Sequence, residues 1–398
     1  MKITDSVYYV GVLNPNLRVF DIIMKTEFGT SYNSYIVKGK EKTALIEASH
    51  LSFSDYFVNN IKDVCDITNI DYIILNHNEP DHSGNLVKLV ELIPDVTVIV
   101  SQAGAIYLKN ITNRTDLNIK IVKDNDTLDL GNRVLKFINA PFLHWPDSMF
   151  TWDETDGILF SCDFLGAHFC EPQIIDKNIT YEESYKKALH DYFSAIFSPF
   201  KPYVKNGLEK IKDLPIKYAA TSHGPVLTKE GLFDYAIDCY HKWSEPVVNE
   251  KKKIPIFYCS AYGNTEILAE EIKKGIISVI PDAQVNTYNI IKNDMSALSY
   301  ELNTSDAFCI GSPTLNRDAV APVWQLLSHV DVISNQNKKC AVFGSYGWSG
   351  EAALMIRERL KLLKMNVFEN DCRVVFVPSE QEKKSAFEFG KCFGDCIK

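Results

Sequence analysis

Four side chains that commonly bind metals stand within six positions of the sequence, at His77, Glu79, Asp81 and His82. They directly follow the apolar run YIIL at residues 72–75, which is typical of a buried strand. Asn78 and Pro80 are poor strand formers, so we expect the strand to end before them and the cluster to lie in a loop. The chain must therefore fold so that a strand end presents a metal site.

The chain has two parts with different patterns of secondary structure. Up to about residue 245, short apolar runs such as residues 34–37 and 43–46 alternate with turn residues and helical stretches. Residues 244–253, SEPVVNEKKK, are polar and charged and contain a proline, which is typical of a linker. Together with the length of 398 residues, this pattern predicts two domains, at residues 1–250 and 254–398.

In the second part, five apolar runs alternate with helical stretches. The runs are residues 254–259, 285–290, 307–310, 340–343 and 374–377. Between them, the segment 266–277 places Leu268, Ile272 and Ile276 on one helical face. Alternating strands and helices predict an α/β domain with a five-stranded, parallel, doubly wound sheet.

Three loops at the strand ends of this second part indicate a ligand site. In a doubly wound sheet, ligands bind beyond the carboxyl ends of the strands, near helix N-termini. The first loop, SAYGNT, consists of Ser260, Ala261, Tyr262, Gly263, Asn264 and Thr265. Its small hydroxylated residues and its glycine allow backbone N–H groups to surround a phosphate. The loop matches neither GxxxxGK[ST] nor GxGxxG, which disfavours a Walker-type nucleotide and a dinucleotide.

The second and third loops can frame a planar ring. The second loop contains Pro313, Thr314, Leu315 and Asn316, and the third contains Ser345, Tyr346, Gly347, Trp348, Ser349 and Gly350. Trp348 stands between glycines, on a permissive backbone, so that its ring can lie against another ring system. A phosphate loop and an aromatic loop on one edge predict FMN. In this order the three loops resemble flavodoxin, which implies that residues 260–265 hold the phosphate and that 313–316 and 346–350 frame the isoalloxazine.

The first part resembles the metallo-β-lactamase fold, an αββα sandwich whose hydrolases carry the motif His-x-His-x-Asp-His. Here Glu79 stands in the place of the second histidine. A zinc hydrolase requires nitrogen-rich, near-tetrahedral ligation, whereas an added carboxylate favours iron. Three further candidate ligands stand beside apolar or small-residue runs downstream, at His144, Asp163 and His223. The seven side chains are enough for two metal ions.

The motif H-x-E-x-D-H, the three later ligands and the flavodoxin-like half occur together in one order. In this respect the chain resembles the flavodiiron proteins, or A-type flavoproteins, along nearly its whole length. The resemblance implies that His77, Glu79 and His144 bind one iron, that Asp81, His82 and His223 bind the other, and that Asp163 bridges them. The remaining histidines are outside the motif: His50, His168, His190, His241 and His329. Among these, His168 either supports a ligand from outside the centre or has a hydrogen-bonded structural role.

The resemblance also implies an activity, namely the reduction of dioxygen to water or of nitric oxide to nitrous oxide, with FMN relaying single electrons. It implies a head-to-tail homodimer or a tetramer, and a rubredoxin or similar one-electron donor. Because no rubredoxin-like or NADH-binding module follows the flavodoxin-like part, we expect the donor to be a separate protein. Two alternatives stay open: a zinc or iron hydrolase with a regulatory flavodoxin domain, and an electron carrier or redox sensor without turnover.

Composition narrows the class of protein further. A net charge of -9 disfavours nucleic acid and anionic membranes as partners. The N-terminus lacks a signal-peptide pattern, and no stretch approaches the ~20 apolar residues of a membrane span, so we expect a cytoplasmic protein. None of the 10 cysteines forms a CxxC pair, which argues against a zinc ribbon or a four-cysteine iron site. We interpret Cys392 and Cys396 as ordinary helix positions.

Overall fold

A computed structural model of the protein describes residues 1–22 and 24–398, which divide into two compact units, Met1–Glu245 and Pro246–Lys398. The first unit contains two six-stranded sheets. In spatial order, the first sheet consists of Val7–Tyr9, Tyr35–Lys38, Thr43–Ile46, Tyr72–Ile74, Thr97–Val100 and Ile119–Ile121. The second consists of Thr127–Asp129, Val134–Asn139, Met149–Asp153, Ile158–Cys162, Tyr218–Thr221 and Leu227–Thr228. Two short ribbons pair Val12–Asn14 with Thr30–Tyr32 and Val19–Phe20 with Met24–Lys25.

The helices of the first unit connect the strands of the two sheets. The α-helices are Ser54–Lys62, Pro80–Ser83, Leu86–Leu92, Gln102–Thr112, Glu182–Tyr192, Lys201–Ile211 and Phe233–Ser244. Short 3₁₀ turns occur at Leu51–Phe53, Ile67–Asn69, Asp176–Asn178 and Ser198–Phe200, and a π turn spans Phe193–Phe197.

Three apolar clusters show how the first unit is layered. Successive strand residues point to opposite faces of a sheet. Accordingly Tyr35 and Val37 pack with Phe137 and Phe160 of the second sheet, whereas Ile36 packs on the other face. That face meets the helices Ser54–Lys62, Leu86–Leu92 and Gln102–Thr112 through residues 57, 58, 61, 86, 89 and 108. The outer face of the second sheet packs on Glu182–Tyr192, Lys201–Ile211 and Phe233–Ser244. The predicted αββα sandwich is confirmed.

The second unit is built around one parallel sheet. Its strand order is Thr287–Asn289, Ile256–Tyr258, Ala307–Leu315, Lys339–Tyr346 and Asn366–Val367. Arg373–Val375 also pairs in parallel with Lys339–Tyr346, so that the fifth position is occupied by two short segments. Numbered along the chain, the order is 2-1-3-4-5, which is that of the flavodoxin-like doubly wound fold. The prediction of a five-stranded parallel sheet is confirmed.

Helices cover both faces of this second sheet. They are Asn264–Val279, Met295–Asn303, Ala321–Ser328, Glu351–Leu362 and Glu380–Ile397, with a 3₁₀ turn at Ile290–Lys292. One apolar cluster joins Phe308 and Val342 to the helices on one face, and another joins Cys309 and Phe343 to the helices on the opposite face. Within residues 1–22 and 24–398, no helix combines the length and the apolar character that a membrane crossing requires.

Two local predictions were wrong. Residues 80–83 form a helical turn rather than a loop, because Pro80 occupies its first position, where a missing N–H costs nothing. The third strand of the second unit does not end at residue 310 but continues to Leu315. Pairing of Ser312 with Gly344 and of Pro313 with Ser345 extends the ladder, and the strand then turns back to pair with Asp318–Ala319. Pro313, Thr314, Leu315, Ser345 and Tyr346 therefore lie at strand ends rather than in loops.

Candidate metal and cofactor sites

The seven predicted metal ligands come together where several strands of the first unit end. His77 lies beyond Tyr72–Ile74, Asp163 directly follows Ile158–Cys162, and His223 follows Tyr218–Thr221. The helical turn Pro80–Ser83 carries Asp81 and His82. Ile158–Cys162 and Tyr218–Thr221 are parallel neighbours in the second sheet and end at the same edge, whereas Tyr72–Ile74 belongs to the first sheet. The positions are distant in sequence but close in space, because the two sheets pack face to face.

One half of the cluster contains His77, Glu79 and His144. The Nε2 atoms of His77 and His144 lie 3.1 and 3.3 Å from Oε2 of Glu79. The same two nitrogens lie 3.8 and 3.4 Å from Oδ2 of Asp163. Two imidazole nitrogens and two carboxylate oxygens therefore converge on one position.

The other half contains Asp81, His82 and His223. Nε2 of His223 lies 3.1 Å from Oδ2 of Asp81 and 3.4 Å from Oδ1 of Asp163. Nε2 of His82 lies 3.5 Å from Oδ1 of Asp81 and 3.2 Å from Oδ1 of Asp163. Asp163 thus turns one carboxylate oxygen toward each half, which is the arrangement that a bridging ligand requires.

The electrostatics of the cluster fit two cations. Burial alone would lower the pKa of His77, but contacts with the Asp147 and Glu79 carboxylates raise it to about 10. Burial opposes ionisation of Asp163, yet the His82 and His144 rings hold the pKa of its carboxyl well below its usual range. Both oxygens of Asp81 are buried and accept no hydrogen bond from the described residues. Such acceptors are costly unless a cation satisfies them, and mixed nitrogen and oxygen donors suit iron.

Outer partners direct the ligand rings. Nδ1 of His77 lies 3.1 and 3.2 Å from the two carboxylate oxygens of Asp147, and Nδ1 of His223 lies 2.6 Å from the backbone oxygen of Ser31. A hydrogen bond at Nδ1 leaves Nε2 free to bind a metal. Asp147 was not among the predicted site residues, although it stands only three residues after the predicted ligand His144.

Two aromatic side chains stand beside the cluster. The Tyr192 hydroxyl donates a hydrogen bond to Oδ1 of Asp163 at 2.9 Å, and the helix that carries it continues into the π turn Phe193–Phe197. Such turns are frequent at functional sites. His168 packs 5.2 Å from the His223 ring, with Nδ1 at 2.9 Å from Oγ1 of Thr30, and burial lowers its pKa to about 3. It adjoins the cluster but belongs to none of the residue groups that could hold a metal ion among the described residues.

The other histidines lie apart from the metal ligands. His50 caps the turn Leu51–Phe53 by accepting the N–H of Ser52. His190 and His241 lie in helices Glu182–Tyr192 and Phe233–Ser244, and His329 follows Ala321–Ser328. Cys392 and Cys396 lie exposed on the helix Glu380–Ile397.

The predicted phosphate loop of the second unit joins strand Ile256–Tyr258 to helix Asn264–Val279. Gly263 stands at the N-cap with a φ of +85°, a conformation that favours glycine, and a Cβ there would meet only open space. Thr265 and Ser345 share a hydrogen bond of 2.8 Å between their hydroxyls, which ties the first loop to the third. The Ser260 hydroxyl is buried and has no partner among the described residues, so it is available to a bound group.

The ring-binding residues predicted in the second and third segments lie at the neighbouring strand ends. Asn316 adopts a φ of +53° at the turn after Leu315, and Ala352 donates its N–H to Oγ1 of Thr314 at 3.3 Å. The side chains of Tyr262 and Trp348 are 91% and 89% exposed. Exposed aromatic rings beside a helix N-terminus fit a phosphorylated planar cofactor.

Phe376 lies beside the third loop but was not among the predicted ring-binding residues. It follows the fifth strand position, and its ring approaches to 3.2 Å the point that a Cβ on Gly347 would occupy. The apolar run at residues 374–377 was predicted as strand, although only residues 373–375 are strand, and Phe376 itself has a φ of +54°.

Comparisons with known proteins identify the family. A model described as ODP family beta lactamase matches residues 30–224, and a flavodoxin model matches residues 256–390. The flavo-diiron protein FprA2 of Clostridium acetobutylicum is 54% identical over 398 residues, which cover 100% of this chain and 99% of that protein. The anaerobic nitric oxide reductase flavorubredoxin of Pectobacterium atrosepticum is 33% identical over 90% of this chain and 70% of its own length.

A solved structure has the same architecture. The rubredoxin oxygen:oxidoreductase from Desulfovibrio gigas superimposes with a TM-score of 0.74 at 26% identity, and the match covers 100% of this chain and 98% of that one. The resemblance inferred from the motifs is thereby confirmed over the whole length of the chain. The protein belongs to the flavo-diiron proteins, and its cofactors are FMN and a non-haem pair of iron ions.

Proposed function

We propose that the protein is a terminal oxidoreductase that reduces dioxygen to water, nitric oxide to nitrous oxide, or both, with electrons relayed through FMN from a rubredoxin-type donor. The observation that carries the proposal is the orientation of Asp163, which offers one oxygen to each half of the ligand cluster. Two adjacent metal positions with a shared carboxylate can accommodate a diatomic molecule. The names of two relatives, a nitric oxide reductase and an oxygen oxidoreductase, support this class of substrate.

The proposed ligands of the two irons are the two groups of side chains that lie in contact with each other. His77, Glu79 and His144 hold one iron, Asp81, His82 and His223 hold the other, and Asp163 contributes to both. When bound, a ferrous pair supplies electrons to a gas molecule. The three carboxylates of the cluster offset the positive charge of the irons in a buried site.

Residues around the ligands control the surroundings of the proposed centre. The Tyr192 hydroxyl donates a hydrogen bond to Oδ1 of Asp163, with 2.9 Å between the two oxygens, and so orients that carboxylate. The packed rings of Phe20 and His168, with centroids 4.5 Å apart, exclude water from one side of His223. Asp147 keeps His77 turned inward.

We further propose that Met1–Glu245 is the diiron domain and that Pro246–Lys398 is the FMN-binding domain. Residues 260–265 would bind the phosphate, while 313–316 and 345–350 would frame the isoalloxazine ring. The Gly263 backbone, the unpartnered Ser260 hydroxyl and the exposed Trp348 support this assignment.

The proposed assembly is a head-to-tail homodimer, or a tetramer built from it, in the cytoplasm. Its support is the family resemblance. If electron transfer requires a partner chain, dilution below the dimer dissociation constant should abolish turnover. Sedimentation and steady-state rates measured over the same concentration range test this, and full turnover by an isolated monomer would contradict it.

The central experiment measures cofactors and turnover together. Protein purified without oxygen is analysed for iron, zinc and flavin, and is then reduced with rubredoxin and its reductase. We expect about two irons and one FMN per chain, with sustained consumption of at least one gas. A centre filled only with zinc would favour the hydrolase alternative, and a single oxidation without turnover would favour the redox sensor.

A further inference from the structure

A second buried polar group lies behind His82, on the side away from the ligand cluster. His82 turns Nε2 toward Asp81 and Asp163, and turns Nδ1 toward Glu47 and Cys162. Oε2 of Glu47 and Sγ of Cys162 each lie 3.7 Å from Nδ1. All three side chains are buried, and neither Glu47 nor Cys162 belongs to the proposed ligands.

The Glu47 carboxylate is held in place from one side only. Its Oε1 accepts the backbone N–H of Asn76 at 3.1 Å, next to the ligand His77. Its Oε2 is buried and has no hydrogen-bond partner among the described residues. Nδ1 of His82 lies 3.7 Å from it. A buried acceptor without a donor is unfavourable, so the geometry calls for a proton on Nδ1 of His82.

The backbone adopts an uncommon conformation at both of these residues. Glu47 directly follows strand Thr43–Ile46 with a φ of +60°, and Cys162 ends strand Ile158–Cys162 with a φ of +55°. Residues other than glycine rarely adopt a positive φ, and those that do are found preferentially at functional sites. In this chain both of these strained residues direct their side chains at the same imidazole nitrogen.

We propose that Glu47 and Cys162 are positioning residues for His82. The Glu47 carboxylate, 3.7 Å from Nδ1, favours a proton on that nitrogen, and Cys162 occupies the space beside the ring. Nε2 then presents its lone pair to the iron position shared with Asp81 and His223. This proposal rests on the ligand set of the proposed function. It gives His82 the carboxylate partner that Asp147 gives to His77 at the other iron position.

A separate metal site behind His82 is the competing reading, because Glu47, His82 and Cys162 could themselves hold an ion. If Nε2 also binds the iron of the proposed ligand set, that interpretation requires His82 to lose the protons of both nitrogens. A proton on Nδ1 satisfies Glu47 without this requirement. A third divalent ion per chain that disappears in Cys162→Ala would overturn our proposal.

The main test compares Glu47→Gln with Asp147→Asn. Asn76 keeps its N–H directed at the amide oxygen of the new glutamine, so the amide NH₂ must face Nδ1 of His82. The ring proton then moves to Nε2 and blocks metal binding there. We expect affinity for one of the two irons to fall by about 10–100-fold, and one quadrupole doublet in the Mössbauer spectrum of ⁵⁷Fe-loaded, reduced protein to change. Asp147→Asn should change the other doublet.

A milder pair of variants keeps the proposal testable if Glu47→Gln does not fold. Cys162→Ala removes the side chain beside the ring, whereas Cys162→Ser retains a polar atom of similar size. We expect Cys162→Ala to change the same doublet as Glu47→Gln, with a smaller loss of iron, and Cys162→Ser to resemble the unaltered protein. FMN content, which depends on the other unit, should stay constant in all of them.

The outcomes separate this inference from the proposed function. If the unaltered protein lacks an iron pair, the proposed function fails. If it holds two irons and both Glu47→Gln and Cys162→Ala leave both affinities and both doublets unchanged, only the positioning proposal fails. A change in the Asp147 doublet instead of the other one would also overturn it.

Discussion

At the scale of single residues, the site depends on side chains that contact two different partners through different atoms. Asp163 presents one oxygen to each half of the ligand cluster and also accepts the Tyr192 hydroxyl. His77 presents Nε2 to the cluster and Nδ1 to Asp147. Each of these groups is buried and tied to a partner on another strand or loop, so its orientation is set before any ligand arrives.

The shared role of Asp163 leads to a prediction about metal content. Asp163→Asn keeps the shape of the side chain but removes the charge that both metal positions use. We expect affinity for both irons to fall by more than the about 10–100-fold that is typical of losing an outer partner, with turnover of either gas falling in parallel. Iron analysis after a chelator challenge measures the loss. Asp95→Asn, at an exposed position, serves as the control.

A second residue-scale prediction concerns stability rather than chemistry. Arg133 forms a buried ion pair with Asp153, with Nη1 at 2.6 Å from Oδ2. Arg133→Met leaves Asp153 buried without its partner, which typically costs about 3–5 kcal/mol of unfolding free energy. The exposed pair of Arg114 and Asp116 provides the control, since Arg114→Met should cost only about 0–1 kcal/mol. Urea unfolding of the two variants checks the difference, and equal losses would contradict it.

At the scale of elements, the ends of strands and helices depended on backbone interactions that local composition does not specify. The strand Ala307–Leu315 extends through Ser312 and Pro313 because Lys339–Tyr346 beside it offers backbone partners as far as Ser345. Residues 80–83 form a helical turn because Pro80 suits a first helical position. The short apolar runs at residues 34–37 and 43–46 correctly indicated strands, which span Tyr35–Lys38 and Thr43–Ile46.

The closest helix packing in the second unit gives a prediction at this scale. Helices Asn264–Val279 and Glu380–Ile397 meet at Gly275, where a Cβ would stand 2.0 Å from the backbone oxygen of Phe387. Gly275→Ala gains about 0.5–1 kcal/mol of helix propensity but forces the helices apart, at a cost of about 1–3 kcal/mol. We therefore expect net destabilisation and weaker FMN binding, measured by thermal unfolding and flavin titration.

The control for this helix prediction is Lys274→Ala. It removes a side chain one residue away, at a position that is 60% exposed, and changes helix propensity little because lysine is already a good helix former. We expect Lys274→Ala to leave stability and flavin affinity nearly unchanged. If Gly275→Ala were as stable as the unaltered protein, the close contact would not govern this helix pair.

At the scale of the whole molecule, the two units have separate apolar cores. Among the described residues, three clusters lie within the first unit and two within the second, and none of these five contains residues of both. Val247 and Val248, just beyond the division, are 52% and 81% exposed, as expected of a connecting segment. Each unit therefore buries its own core and meets the usual description of a domain.

This independence predicts that each part folds alone. Residues 246–398 produced separately should bind FMN and become yellow, and residues 1–245 should bind iron. Neither part should sustain reduction of a gas with rubredoxin as donor, because electron relay and gas chemistry are divided between them. Near-ultraviolet circular dichroism, flavin absorbance and iron content provide the readouts, with the full chain as reference. An unfolded 246–398 fragment would show that its core is incomplete.

The sequence by itself determined the classes of structure and chemistry. Periodicity identified the strands and the doubly wound half, and the types and order of the ligand residues indicated iron and FMN, because these properties are local or compositional. Only the tertiary structure decided which oxygen of Asp163 faces which histidines, and that Asp147 and Glu47 stand behind His77 and His82. These relations join residues far apart in the chain, and their distances depend on how strands pair and pack, which no local pattern specifies.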